Sequence, residues 1–290
     1  MNGLLIIDKP AGMTSHDVVA IVRRATGERS VGHLGTLDPM ATGVLPLLLG
    51  KYTRLAQFFS DSEKYYAGTI RFGLATDTFD AEGQPQSAPA QLTLTLDQLR
   101  ALAERFSGTI DQVPPVYSAK KIGGVPAHKL ARAGKEVPVK PARITIHGFT
   151  LESLEGDVAS FTMHVSAGGY VRSVAHELGQ LAGCGAHLAS LRRTQAGPFT
   201  LAHSLTVDQL KALTPGEIEA RLPHPRGMLA DLPSVIVDEL TAGRIRNGMQ
   251  VNVQELSSAP LIKVFSGPRD LLCIARRIAG TLVQPVVVIG

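Results

Sequence analysis

The chain has 290 residues, room for about two domains at roughly 150 residues each. Its 44% hydrophobic and 19% charged residues exclude a disordered or collagenous chain, and the longest apolar runs, residues 44–49 and 286–289, fall far short of the roughly 20 needed to cross a bilayer. Lys and Arg number 29 against 25 Asp and Glu, a net charge of +4 that suits an anionic partner, while two cysteines, Cys184 and Cys273, are too few for a disulfide framework and fit a reducing, cytoplasmic setting.

Residues 1–8 read as a first strand, and the lack of a basic start with Asp8 following only four apolar residues argues against a signal peptide. Thr14 to Asp17 has the [ST]-x-x-[DE] pattern of a helix start, and Val18, Val19, Ile21, Val22 and Ala25 form its apolar face up to Gly27, with Arg23 and Arg24 outward. A glycine-rich loop over residues 32–43 leads into an apolar strand over 44–49. Residues 64–72 alternate as a strand, the polar, proline-bearing 75–94 reads as a surface loop, and a helix follows with Leu99, Leu102, Ala103 and Phe106 inward. Between residues 117 and 143, Lys120, Lys121, Lys129, Arg132, Lys135, Lys140 and Arg143 face Glu136 alone, an excess of six positive charges. Paired strands are expected over 143–154 and 158–165. A helix is expected over 170–181, with Val171, Val174, Ala175, Leu178 and Leu181 on one face and Gly183 closing it. Past a proline-rich stretch at 222–225, short strands over 261–265, 271–275 and 281–289 suggest a small β domain, with the boundary near Leu232.

Several motif readings fail. Gly50-Lys51 lacks the first glycine and the Ser/Thr of a phosphate loop, and His176-Glu177-Leu178-Gly179-Gln180 has glutamine where a zinc helix needs its second imidazole. Cys184 and His187 have ligand-like spacing but no second pair, so no metal is expected. Asp38, before Pro39 and bracketed by Gly32, Gly35 and Gly43, reads either as ordinary turn chemistry or as a carboxylate presented as nucleophile or base in a loop that a substrate can approach closely.

The segment Gly32-His33-x-Gly35-x-Leu37-Asp38-Pro39-x-Ala41-x-Gly43-x-Leu45-Pro46 resembles the catalytic loop of the tRNA pseudouridine synthase B (tRNA pseudouridine-55 synthase) family. It is preceded by Asp8-Lys9-Pro10-x-Gly12-x-Thr14-Ser15 and followed, in order, by Lys64-x-Tyr66, Thr76-Asp77-Thr78-x-Asp80, Tyr117-Ser118-Ala119-x-Lys121, Gly169-Tyr170-x-Arg172, and Cys184-Gly185-Ala186-His187 running to Leu191-Arg192-Arg193. The resemblance spans residues 3 to about 200. It implies an α+β fold: a pseudouridine synthase catalytic domain over residues 1–232, with a central mixed, mainly antiparallel sheet flanked by helices, and a small PUA-like β-barrel domain over 233–290.

The implied activity is isomerisation of uridine 55 in the T loop of tRNA to pseudouridine by base flipping, without a cofactor, guide RNA or obligate protein partner, in a cytoplasmic monomer that also assists tRNA folding. Asp38 is implied as the catalytic carboxylate, attacking C1′, removing a sugar proton or adding to the base, with Arg172 paired to it. Tyr66 is implied as the active-site tyrosine, selected over Tyr65 by the K-x-Y spacing; Tyr170 and Leu191 as lining of the uracil pocket; and His33 as a residue inserted against the RNA. Lys9 and Pro10 are implied as support for the loop, Asp77 as an acid holding a basic partner or capping its loop, and Lys120, Lys121, Lys129 and Arg132 as phosphate contacts of a clamping insertion at 117–143. Two rivals are a tRNA-folding chaperone without catalysis and a small-molecule glycosidase, the latter short of a second acid.

Overall fold

The computed structural model describes residues 1–86, 88–118, 121–122, 124–127, 130 and 140–290. One large mixed sheet runs in the order β12-β1-β3-β10-β4-β9-β8-β5, with β2 beside β3 and β11 beside β10. The strands are β1 (Gly3–Lys9), β2 (Val31–His33), β3 (Thr42–Leu49), β4 (Lys64–Phe72), β5 (Gly108–Gln112), β8 (Ala142–Glu155), β9 (Val158–Val165), β10 (Ala186–Ala196), β11 (Phe199–Thr200) and β12 (Leu205–Thr206). β1 with β12 and β3 with β10 are parallel; the other pairs are antiparallel.

Alternation along the strands divides the side chains between two faces. Leu5, Ile7, Leu45, Leu47 and Leu49 enter a core closed by α1 (Ser15–Thr26), α2 (Leu96–Ala103), α3 (Val171–Leu181), α4 (Val207–Ala212) and α5 (Pro215–Arg221). Leu4, Ile6, Val44 and Leu48 point the other way, into a second core with Phe265, Leu271, Ile274, Val287 and Ile289. Those C-terminal residues belong to a five-stranded sheet ordered β13-β15-β16-β17-β14, comprising β13 (Ser234–Ile236), β14 (Val251–Asn252), β15 (Leu261–Phe265), β16 (Leu271–Ala279) and β17 (Leu282–Val288), with α6 (Glu239–Arg246) against it. Burial on both faces is why residues 44–49 read as a continuous apolar run instead of alternating.

α1 starts as its sequence requires: the Thr14 hydroxyl accepts from the Asp17 amide at 3.1 Å, the Asp17 carboxylate accepts from the Thr14 amide at 2.8 Å, and Gly27 ends the helix at φ 69°. α3 begins at Val171 with Tyr170 as its N-cap, and Ala182 is its C-cap, with Gly183 following at φ 78°. The segment 75–94 departs from the surface-loop expectation. Thr76 and Asp80 are buried, and bridges from Thr76 to Pro85 and Asp80 to Leu188 fold it onto the sheet. Of the basic stretch, β6 (Lys121–Ile122) and β7 (Val125–Pro126) pair as a short antiparallel ladder. Lys120, Lys129 and Arg132 lie outside the described residues, and for Lys121 only the backbone is described. No helix among the described residues is long and apolar enough to cross a membrane.

Candidate active site

Asp38 sits in the connection between β2 and β3, and two buried cations hold that connection from beneath. Lys9, at the end of β1 and fully buried, donates from Nζ to the carbonyls of Met13 (2.6 Å), Pro10 (2.9 Å) and Pro39 (3.2 Å). Arg193, on β10 and 1% exposed, donates to the carbonyls of Val44 (2.7 Å), Gly35 (3.1 Å) and Thr36 (3.4 Å). The Ser15 hydroxyl donates to the Leu37 carbonyl and accepts from the Leu37 amide. Loop carbonyls that would otherwise be desolvated without partners are thereby satisfied, which fixes the backbone on either side of Asp38. Burial lowers the Lys9 ammonium to about 8, so it keeps its charge at neutral pH. Lys9 therefore supports the loop, as the resemblance implies; Arg193, quoted in the motif Leu191-Arg192-Arg193 without a role, does so equally.

Arg172, in the first turn of α3, meets Asp38 side-on. Its Nη2 donates to Oδ1 at 3.2 Å, and its Nε lies 2.8 Å from Oδ2 as a close ion pair outside hydrogen-bond geometry. The guanidinium is itself fixed by the carbonyls of Thr78 (3.1 Å) and Tyr117 (3.0 Å) and by Asp80, whose Oδ2 lies 3.4 Å from Nη1. Asp80 is buried and accepts from the Thr78 hydroxyl at 2.6 Å and the Glu82 amide at 3.1 Å. Asp77 takes the second of its two expected parts: it accepts from the Gln84 amide at 2.7 Å and caps its own loop. Asp80, two residues past the Thr78 whose carbonyl also holds Arg172, is the acid that faces the basic partner.

The protein around Asp38 desolvates it and pushes its carboxyl above the usual carboxylate range; Arg172 pulls it down, Asp80 pushes it up and Lys9 pulls it down, and burial prevails. A third of the side chain still faces an open cleft of about 640 Å³. Six sequence-selected residues, His33, Asp38, Tyr66, Tyr170, Arg172 and Leu191, all line this cleft, although they come from segments as far apart as β2 and β10. Among the described lining residues Asp38 is the one acid. Pleating separates the two tyrosines of β4: Tyr66 faces the cleft, while Tyr65 stacks on His164 with ring centroids 3.9 Å apart. Tyr170 is clasped through its backbone, its amide donating to Gln112 Oε1 (2.8 Å) and its carbonyl accepting from Gln112 Nε2 (3.0 Å). Burial pushes its hydroxyl up, against a hydrogen bond with Ser118 and the charge of Arg172. Burial lowers the His33 imidazole, with Arg193 and His16 adding to the effect, so it is neutral at pH 7. The cleft thus combines an apolar wall, two tyrosine rings and one carboxylate held by a guanidinium, a lining that suits a planar ring with a polar group beside the acid.

Proteins similar to this chain in sequence are pseudouridine synthases, which are isomerases. Two family models match: TruB family pseudouridylate synthase (N terminal domain) over residues 23–171, and tRNA pseudouridylate synthase B C-terminal domain over residues 172–222. Among similar proteins, the tRNA pseudouridine synthase B of Solibacter usitatus (strain Ellin6076) is 45% identical over 99% of this chain and 100% of its own length. That of Geotalea uraniireducens (strain Rf4) is 41% identical over 86% of this chain and 81% of its own length. The chain belongs to the TruB family. A chain from the crystal structure of the archaeal box H/ACA sRNP Nop10-Cbf5 complex shares the fold, with a TM-score of 0.71, 22% identity, and coverage of 99% of this chain and 86% of that one.

Proposed function

We propose that this enzyme isomerises uridine 55 in the T loop of tRNA to pseudouridine, acting as a cytoplasmic monomer that needs neither cofactor, guide RNA nor protein partner. The observation that carries the reading is the one carboxylate among the described cleft residues, Asp38, held side-on by Arg172 at 2.8 and 3.2 Å. The target nucleotide leaves the loop stack and enters the cleft, which costs less from a loop than from a duplex. Tyr66 and Tyr170 flank the base, Leu191 supplies apolar contact, and His33 stands at the rim where the RNA opens. The ionised Asp38 acts at the joined sugar and base: the N1–C1′ bond breaks, the freed uracil turns, C5 bonds to C1′, the C5 proton leaves to solvent and N1 gains one. Arg172 keeps the carboxylate charged and aimed. The lack of a second acid in the described lining disfavours a glycosidase that needs paired carboxylates.

Residues 1–232 form the catalytic domain in this reading, and residues 233–290 the small RNA-binding domain. Lys120, Lys121, Lys129 and Arg132, in the insertion at 117–143, bind backbone phosphates. Neutralising Lys120, Lys121 and Lys129 together then flattens the slope of log affinity against log salt by about 0.7 to 0.9 for each phosphate no longer neutralised, measured by filter binding. An unchanged slope places the phosphate-binding groups elsewhere.

Because C5 must lose its hydrogen, a T stem-loop transcript tritiated at uracil C5 releases tritium to water as the product forms. The expected release is one tritium per target uridine, with none from a transcript carrying cytidine at position 55. Tight binding without release would leave the folding-chaperone reading and remove the enzymatic one.

A further inference from the structure

On the sheet face opposite the cleft, Glu63, His147 and His164 converge. His164 Nε2 lies 2.7 Å from Glu63 Oε2 and His147 Nε2 lies 3.2 Å from Oε1, while the two imidazole rings sit 4.5 Å apart. All three ligand-capable atoms fall within 4.8 Å of one another, and among the described residues this is the one group of three His, Cys, Asp or Glu side chains that does so. We propose that Glu63, His147 and His164 bind a divalent cation of the zinc type, with a water completing its shell.

The donor set argues the metal class. Two imidazole nitrogens and one carboxylate oxygen suit zinc and its late-transition neighbours, whereas magnesium and calcium take oxygen shells. Ligands about 2.0–2.2 Å from a tetrahedral zinc ion stand about 3.3 Å from one another. His147 Nε2 stands 3.2 Å from Oε1 and His164 Nε2 2.7 Å from Oε2, so with one Glu63 oxygen as ligand the exposed carboxylate turns to place that oxygen between the two imidazoles.

The scaffold argues that the arrangement is built into the sheet. Glu63 immediately precedes β4, and the Glu63 carbonyl is held by the Gly197 amide at 2.8 Å. His164 lies on β9, paired with Tyr65 of β4, whose ring stacks on the imidazole and sets its plane. His147 occupies the register shift between Ile146 and Gly148 of β8, an irregularity that re-aims a side chain beside His164. The three side chains are 46%, 35% and 25% exposed for Glu63, His147 and His164, so solvent reaches the position a fourth ligand would take. None of them lines the cleft, so the site stands independently of the isomerase reading.

The test is competition between metal-freed, full-length protein and a chromophoric chelator for Zn²⁺ at pH 7.5, with His147→Ala, His164→Ala and the near-isosteric Glu63→Gln alongside. Wild type is expected to take up one equivalent, each variant to bind at least tenfold more weakly, and tritium release from RNA without added zinc to be unchanged in all four proteins. Excess Zn²⁺ raises the wild-type Tm and leaves those of the variants in place. Glu63→Gln keeps the volume of the side chain and one of its two acceptors while removing the charge, so it reads the site even if a histidine variant folds poorly. Failure of wild type to bind one equivalent, or equal affinity in Glu63→Gln, overturns the proposal and leaves the cluster as a carboxylate bridging two imidazoles.

Discussion

In the proposed reaction Asp38 acts as an anion, and its surroundings act on that charge in opposite directions: burial and Asp80 disfavour it, while Arg172 and Lys9 favour it. Because the net shift is upward, the carboxylate takes its proton at a higher pH than the usual 3.8, and kcat/KM should fall on the acid side with a midpoint above that value. Asp80→Asn removes a neighbouring negative charge, so the midpoint should move to lower pH; pH profiles of tritium release for the two proteins check this, and a limb that stays fixed would mean another group titrates. The cleft residues His33, Asp38, Tyr66, Tyr170, Arg172 and Leu191 were legible in the sequence because each sits in a short local motif whose order along the chain is informative. Asp80 and Arg193 stand in the matching motifs but were given no role, since what defines their roles is burial beside a partner distant in sequence: Arg193 acts on carbonyls of the loop between β2 and β3, and Asp80 on a guanidinium of α3. Distance in sequence likewise hides Glu63, His147 and His164, brought together by strand register alone.

The elements place Asp38 by tight backbone approach as much as by side chains. Gly43, which opens onto the buried part of β3, has φ 104° and pairs with Arg193 of β10, and a Cβ there would come within 2.2 Å of the Arg193 carbonyl oxygen. Left-handed backbone and backbone overlap together should make Gly43→Ala cost about 3 kcal/mol or more in urea unfolding, with activity falling further than stability as the loop moves from Arg193. A variant within about 0.5 kcal/mol of wild type would show that the β3–β10 approach relaxes freely. Strands and helices were largely readable from periodicity and caps, as at Thr14, Asp17 and Gly27. The 75–94 segment was not, because its polar composition signals solvent while the buried hydrogen bond from the Thr76 hydroxyl to the Asp80 carbonyl, 2.7 Å, draws it inward.

At the scale of the molecule, the two sheets are joined through one apolar layer. Leu4, Ile6, Val44 and Leu48 of the large sheet meet Phe265, Leu271 and Ile274 of the small one, so the wall behind the catalytic loop is also the interface. Phe265 is fully buried, and Phe265→Ala should cost about 3–5 kcal/mol and split one thermal unfolding transition into two, read by calorimetry. A single transition at an unchanged Tm would mean the sheets do not support each other. The small β domain was visible in sequence as spaced apolar strands, but its packing was not, because alternate residues of a continuous apolar run serve different cores. Sheet, loop and layer together hold the Asp38 carboxylate at the cleft, where the proposed reaction needs it. The direct test is Asp38→Asn with tRNA transcript, measuring affinity by filter binding and product by nucleoside analysis on the same samples. The expected result is affinity within a few-fold of wild type with no detectable pseudouridine at position 55; pseudouridine forming at a rate near wild type would contradict the account.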